Sequence, residues 1–129
     1  MLSKFLKKEG VMEKYNVITS ETYYISPMLL RDLGLESCKR TRYTAYENIN
    51  EYKHMTKKER EQTYDQLKDQ IKTQGFKNDY PIIIFLLRKE RKKDMIFQGH
   101  HRLNIAIELG ISRVPVRFVY KERRSIHNG

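Results

Sequence analysis

The feature that most constrains the fold is a short apolar stretch that ends at a glycine and continues as a helical pattern. Residues 95–97 are apolar and fit a strand, and Gly99 follows after one polar residue. The apolar residues that come next almost encircle a helix: Leu103, Ile105, Ala106, Ile107 and Leu109. We therefore predict a strand, a tight turn at Gly99, and a helix from His101 to Leu109 that is packed on several sides and ends at Gly110.

A second helix is predicted from a capping box. Thr56 and Glu59 have the spacing at which each side chain accepts a hydrogen bond from the backbone N–H of the other residue. The apolar residues that follow recur on one face of a helix: Tyr64, Leu67 and Ile71. Gly75 is expected to end this helix.

Two more strands are predicted in the second half of the chain. Ile82 to Leu87 is apolar throughout, which is typical of a strand buried on both faces. Lys89 to Asp94 is expected to be a solvated turn between this strand and residues 95–97. Val114 to Tyr120 forms the last strand, and the polar tail from Lys121 is expected to be loose.

The first half of the chain is less patterned. Asn16 to Ile18 and Tyr23 to Ile25 fit short extended pieces, and Ser26 followed by Pro27 is a favourable start for a short helix that Gly34 would end. We expect one domain over residues 1–129, with loose ends at 1–15 and 121–129. The fold class predicted for the whole is α+β, with a mixed sheet and packed helices.

The charge balance points to anionic partners. The chain of 129 residues carries a formal net charge of +10, which favours nucleotides or nucleic acid. A single cysteine, Cys38, excludes an internal disulfide and a cysteine-based zinc site. No apolar stretch approaches the length that spans a bilayer. We expect a cytoplasmic protein without a membrane span.

Basic and aromatic residues alternate between residues 39 and 54, including Arg40, Arg42, Tyr43 and Tyr46. Such a mixture is able to bind phosphates and stack bases, as in a nucleic-acid-binding module. The interpretation that we favour is an irregular surface segment whose tyrosines lie on the core, because no fixed spacing is present.

The predicted turn has the chemistry of a phosphate site. The first N–H groups of a helix have no acceptor within the helix, and the helix dipole places partial positive charge beside them. Arg102 adds a planar guanidinium, and His100 and His101 add donors that titrate near neutral pH. Two alternatives are a purely structural turn and a zinc site, but adjacent histidines point in different directions and no third ligand has a standard spacing.

The sequence resembles the ParB/sulfiredoxin superfamily between about residues 57 and 120. The resemblance is carried by four stretches, residues 67–76, 81–84, 96–103 and 114–116. Three further residues between the last two stretches also match: Ala106, Leu109 and Gly110. In that superfamily the Gly-x-x-Arg turn engages nucleotide phosphates. The resemblance implies that Gln98, Gly99, His100, His101 and Arg102 bind ATP, ADP or CTP, with Mg²⁺ as a further ligand.

Departures from the family pattern narrow the expected activity. Sulfiredoxins carry a reactive cysteine directly after the glycine, where this chain has His100, and partition proteins carry Glu-Arg between the glycine and the arginine. The turn is most similar to that of the free-serine-kinase-like members, which carry Asp-Gly-His-His-Arg. This chain has Gln98 where those members have the aspartate. An amide is a poorer magnesium ligand than a carboxylate.

The expected function is nucleotide binding, with ATP-dependent phosphoryl transfer as its enzymatic form. His100 and His101 would then act as acid or base, and Glu47 or Glu51 as the base for an acceptor hydroxyl. One alternative is a nucleic-acid-binding module or ParB-like nuclease that uses Arg40, Arg42, Tyr43 and Tyr46. Another is a degenerate relative that binds without catalysis.

Overall fold

The structure, a computed structural model, describes residues 15–32 and 40–123. In this part of the chain the strands are β1 (Tyr15–Thr19), β2 (Tyr23–Ile25), β3 (Ile82–Phe85), β4 (Met95–Gln98) and β5 (Val114–Arg123). The α-helices are α1 (Pro27–Asp32), α2 (Lys57–Gln74) and α3 (His100–Glu108), and short 3₁₀ turns occupy Asn50–Tyr52 and Arg88–Glu90.

The strands form one mixed sheet in the order β1-β5-β3-β4, with β2 also paired to β5. Strand β5 is antiparallel to β1 and β2 and parallel to β3, whereas β3 and β4 are antiparallel. The ten residues of β5 are long enough to pair with β2 near Val116 and with β1 beyond Val119. The predicted α+β class and mixed sheet are confirmed.

The core lies between one face of the sheet and the helices. Alternate residues of the strands point into it, because side chains on a strand alternate between the two faces. Its buried members are Leu30, Ile82, Ile84, Ile96, Leu103, Ala106, Val114 and Val116. A second cluster joins α2 and α3 to the segment that precedes α2, through Ala45, Tyr46, Tyr64, Ile71 and Ile105.

The ends of helix α2 are as predicted. The Thr56 side chain accepts from the N–H of Glu59 at 3.2 Å, and the Glu59 carboxylate accepts from the N–H of Thr56 at 3.0 Å. Gly75 ends the helix with φ at 77°, a value that glycine adopts without strain. The N–H of Gly75 donates to the carbonyl of Ile71 at 2.8 Å.

Several predicted boundaries were wrong. Strand β3 ends at Phe85 rather than Leu87, although the N–H of Leu86 still donates to the carbonyl of Val119 at 2.9 Å. Helix α3 begins at His100, one residue earlier than expected. The ends predicted to be loose include strand residues, because Tyr15 pairs with Arg123 in the β1–β5 ladder. Strand pairing outweighs the polar composition at these positions.

The turn between β3 and β4 is not simply solvated. Asp94 is only 6% exposed, and its carboxylate accepts from the N–H of Leu87 at 2.8 Å and from Nε of Arg88 at 2.9 Å. A buried carboxylate needs such donors, and here they fix the turn. The outward-facing charges of the turn are basic, as at the exposed Lys89 and Arg91.

Two predictions concern residues outside the described ranges, namely the helix end at Gly34 and the role of Cys38. Among the residues that are described, no helix is both long enough and apolar enough to cross a bilayer.

Candidate phosphate site at the start of helix α3

Gly99 joins β4 to α3 in a conformation that few other residues tolerate. Its φ is 103°, and a Cβ atom added there would lie 2.9 Å from Cγ1 of Ile82 and 3.2 Å from its Cα. Real Cβ atoms do not approach another carbon so closely. The missing side chain therefore lets the start of α3 pack directly against β3. Packing against Ile82 is therefore a reason for glycine at this position that does not depend on a ligand.

The start of α3 presents unused backbone donors. The N–H of Leu103 is the first to bond back within the turn, to the carbonyl of Gly99 at 2.8 Å. Within residues 15–32 and 40–123, the N–H groups of His100, His101 and Arg102 donate no hydrogen bond, and Gly99 has no side chain to cap the helix. Unused donors at a helix start, together with the helix dipole, attract an anion.

Arg102 brings a half-buried positive charge to the same place. Its guanidinium carbon lies 4.7 Å from the ring centroid of Tyr80 and 5.9 Å from that of Phe76. No carboxylate in the described part of the chain lies within ion-pair distance of Arg102. Burial lowers the pKa of Arg102 from its ordinary value, but an arginine side chain keeps its proton in proteins. The aromatic rings thus contact a charged group that has no counter-ion among residues 15–32 and 40–123.

A second guanidinium is held nearby by the backbone. Nη1 of Arg40 donates to the carbonyl oxygens of Thr44 at 3.0 Å and of Glu47 at 2.7 Å. These bonds fix Arg40 without neutralising it, because both acceptors are uncharged. Arg40 also lines the same cavity as Arg102. Its charge is felt by His100 and His101, whose pKa values it lowers in addition to the larger effect of burial.

These groups line an open cavity of about 690 Å³, which lies in the size range of small-molecule sites. The turn supplies one wall, with Gln98, Gly99, His100, His101 and Arg102. The remaining lining residues come from elsewhere in the chain: Arg40, Tyr46, Ile49, Glu51, Tyr52, Leu67, Tyr80, Pro81 and Phe97. All five cofactor-binding residues named from the sequence are therefore together in one cavity wall.

His101 ties the segment before α2 to the start of α3. Its Nε2 accepts a hydrogen bond from the N–H of Tyr46 at 2.9 Å, and the two rings stack with centroids 4.1 Å apart. Burial, with smaller contributions from Arg40 and His100, lowers the pKa of His101 to about 4. The imidazole is therefore neutral at pH 7, and its free lone pair is already used within the protein.

His100 lies in the same cavity wall, and its pKa is shifted by a different combination of effects. Burial and the charge of Arg40 lower its pKa, and a backbone hydrogen bond with Ile96 partly offsets them. His100 is thus also kept neutral at pH 7. Of the two histidines named as acid or base, His100 is the one whose ring nitrogen does not accept the N–H of Tyr46.

The two carboxylates considered from the sequence have different positions. Glu47 is exposed and does not line the cavity, whereas Glu51, at the 3₁₀ turn Asn50–Tyr52, does. Of these two carboxylates, only Glu51 lines the cavity. Within the described ranges, no three His, Cys, Asp or Glu side chains gather as a metal cluster.

The basic and aromatic residues between 39 and 54 do not form one surface. Arg42 pairs with Asp65, with Nε to Oδ1 at 2.8 Å, and also with Glu61, so its charge is matched on α2. Tyr43 is 72% exposed, whereas Tyr46 is buried against His101 and Tyr52. Tyr46 also has φ at 57°, a left-handed value that is uncommon for a tyrosine and is held here by those contacts.

Tyr80 is a site residue that the sequence interpretation missed. It precedes β3, and it contacts Arg102, which follows β4. In an antiparallel pair, the residue before one strand lies beside the residue after the other. The predicted pairing of these two strands could therefore have pointed to Tyr80. It could do so only with the register of the strand pair, which the sequence pattern does not give.

Comparisons with known proteins give a limited result. No protein-family model matches this sequence, and no curated protein matches it. A search of solved structures finds the C222₁ form of a Pnob8-like ParB-N domain, at 13% sequence identity and a TM-score of 0.44. The match covers 85% of this chain and 32% of that chain. The fold class stated above rests on the strands and helices of the chain itself.

Proposed function

We propose that this chain is a member of the ParB/sulfiredoxin superfamily that binds a nucleotide, with the phosphates at the start of α3. One observation carries the proposal: residues 100–102, whose N–H groups are unused within the described chain, line one cavity together with Arg40. Backbone donors at a helix start and arginine forks are the groups that proteins use for phosphates. ATP, ADP and CTP are the ligands to be tested.

The phosphates would neutralise charges that are otherwise unmatched. Arg102 has no carboxylate partner in the described residues, and the hydrogen bonds of Arg40 are to carbonyl oxygens. Glu51 is the one acidic residue that lines the cavity within the described chain. If Mg²⁺ accompanies the nucleotide, its ligands would be the phosphates with Glu51, since Mg²⁺ in such sites takes one or two carboxylates.

A thermal-shift screen tests the binding. ATP, ADP and CTP are each added with and without Mg²⁺ to the wild type, to Arg102→Ala, and to Arg31→Ala as a matched control on the exposed face of α1. A nucleotide at 100 times its Kd stabilises the native state by about 2.7 kcal/mol, which raises Tm by several degrees. We expect this rise in the wild type and the control, with affinity reduced roughly 10- to 100-fold in Arg102→Ala.

Two outcomes of the screen would contradict the proposal. If no nucleotide stabilises the wild type, the chain does not use the cavity in this way. If Arg102→Ala responds as strongly as Arg31→Ala, the phosphates are not bound at Arg102. Replacing Arg40 by Lys, which keeps the charge but changes the donor geometry, separates attraction from the fork contact.

Phosphoryl transfer is a second candidate, and the position of Glu51 in the cavity wall favours it. In this mechanism the oxygen of an acceptor hydroxyl would bond to the γ-phosphorus of ATP as the bridging bond to the β-phosphate breaks, and ADP would leave. The Glu51 carboxylate would accept the hydroxyl proton, and Arg102 would stabilise the charge on the transferred group. Glu51→Gln keeps the size of the side chain and removes the base. Nucleotide hydrolysis or transfer should then fall at least 100-fold, while the affinity for ATP measured without Mg²⁺ stays within about threefold of the wild type.

A further inference from the structure

A second cavity lies away from the candidate phosphate site, beside the C-terminal ends of α2 and α3 and the start of β5. Its volume is about 440 Å³. The floor is apolar and consists of Ile71, Phe76, Leu109, Ile111 and Pro115, with Tyr24 at its side. We call this cavity the α2–α3 groove. Tyr24 is 49% exposed, so the groove leaves apolar surface open to solvent.

The rim of the groove is positively charged. Lys72 and Arg113 are both exposed lining residues, and Asn78 adds an amide. No aspartate or glutamate belongs to the lining within the described chain. In the same part of the chain, neither Lys72 nor Arg113 lies within ion-pair distance of a carboxylate.

A favourable interaction with a helix end explains only one of the two basic residues at the rim. Lys72 lies in the last turn of α2, where a cation interacts favourably with the helix dipole. Arg113 lies outside any helix, immediately before β5. Two carbonyls near the end of α3 already have donors, because Ile111 N–H donates to Ala106 at 2.9 Å and Gly110 N–H donates to Ile107 at 3.1 Å.

We propose that the α2–α3 groove binds a small carboxylate with an apolar body. The body would lie on Phe76, Leu109 and Ile111, and the carboxylate would lie at the rim, where Lys72 and Arg113 supply the opposite charge. A volume of about 440 Å³ is in the range of small-molecule sites. Charge complementarity selects an anion over a neutral or cationic ligand of the same shape.

The proposal is tested by titrating the ¹⁵N-labelled full chain with 2-naphthoate and following backbone amide shifts. The neutral 2-naphthalenemethanol has a similar body and no charge. We expect 2-naphthoate to shift the amides of Gly75 and Ile111 and to bind at least fivefold more tightly than the alcohol. In Lys72→Gln and Arg113→Gln this preference should shrink to less than twofold, whereas Lys57→Gln and Arg31→Gln, exposed elsewhere, should keep it.

A carboxylate is also attracted by the start of α3, so the titration is repeated in Arg102→Ala. Shifts at Gly75 and Ile111 that persist in this variant support a separate site. The proposal is overturned if 2-naphthoate shifts only residues 100–102 and loses its binding in Arg102→Ala. It is equally overturned if the alcohol binds as tightly as the acid, or if neither compound shifts Gly75 and Ile111.

Discussion

The backbone N–H of Tyr46 donates a hydrogen bond to Nε2 of His101 at 2.9 Å, and the two rings are nearly parallel, with 16° between their planes. This contact joins an irregular segment to the first turn of α3. It requires a neutral imidazole, because a protonated ring has no lone pair to accept the N–H. The geometry and the lowered pKa of His101 therefore agree.

The neutrality of His101 predicts a pH-dependent stability. The pKa is about 4 in the folded chain against an ordinary value of 6.5, so between these values the unfolded chain binds more protons. The stabilising contribution is therefore complete above pH 6.5 and is lost as the pH falls towards 4. His100 acts in the same direction, since its pKa is lowered too.

The measurement is urea unfolding of the wild type and of His101→Gln at several pH values between 4 and 7. Glutamine is able to accept the Tyr46 N–H through its amide oxygen but does not titrate. We expect a shallower loss of stability with falling pH in His101→Gln, and the wild-type slope in His54→Gln, which removes an exposed imidazole. Identical slopes in all three proteins would show that His101 is not buried neutral.

Replacing Gly99 by alanine should destabilise the fold more than replacing other left-handed glycines. The new Cβ would lie 2.9 Å from Cγ1 of Ile82, in addition to the backbone strain at φ 103°. We expect a loss of about 2–4 kcal/mol in the free energy of unfolding. Gly110→Ala is the matched control, because its φ is 67° and nothing lies within 4 Å of the added atom. Equal losses in both variants would exclude a packing role for Gly99.

The hydroxyl of Tyr64 links α2 to α3. It donates to Oε1 of Glu108 at 2.8 Å and accepts from Nδ2 of Asn104 at 2.7 Å, in a side chain that is only 1% exposed. Burial is the main cause that raises the pKa of this hydroxyl, so it stays protonated and able to donate. Tyr64→Phe should cost about 1–3 kcal/mol, because it removes a partner from two polar groups.

Chemical denaturation of Tyr64→Phe is compared with that of Tyr43→Phe, whose hydroxyl is on an exposed ring. The exposed substitution should leave the free energy of unfolding within about 0.5 kcal/mol of the wild type. A double-mutant cycle with Glu108→Ala, which removes the acceptor, then isolates the coupling between the two side chains. Additive losses in that cycle would mean that the hydrogen bond contributes nothing of its own.

Asp94 should be essential to the turn between β3 and β4. Asp94→Ala leaves the N–H of Leu87 without its acceptor and releases Arg88. We expect a loss of about 1–3 kcal/mol and faster amide hydrogen exchange at Leu87. Asp79→Ala, at an exposed position, controls for the change in net charge. Unchanged exchange at Leu87 in Asp94→Ala would contradict the proposed role.

Much of the second half of the fold follows from local sequence signals. The capping box at Thr56, the glycine at 75 and the apolar residues of β3 act through their immediate neighbours, so each is visible in the sequence. The turn at Gly99 is of the same kind: residues 99–102 were named from the chemistry of a helix start, and Gln98 was added by the family resemblance. The strand register that brings Tyr80 beside Arg102 was not predicted from the sequence, because it depends on how β3 and β4 pair.

The parts that were mispredicted depend on contacts between distant residues. Lys121 to Arg123 are polar and look like a tail, but they have partners in β1. Asp94 looks like a solvated charge, but the Leu87 N–H and Arg88 surround it. Glu47 and Glu51 are equivalent in the sequence and both are exposed, and only the path of the backbone places Glu51, but not Glu47, in the cavity wall.

Strand β5 has a consequence for how the chain folds during its synthesis. In the described part of the structure, β1 and β2 pair with β5 alone, and β3 pairs with β5 along its whole length. The ribosome makes β5 last among these strands, after the residues of the candidate site. The first two strands must therefore wait for about a hundred residues before their partner emerges, and the nascent chain contains the turn at Gly99 before it has a complete sheet to support that turn.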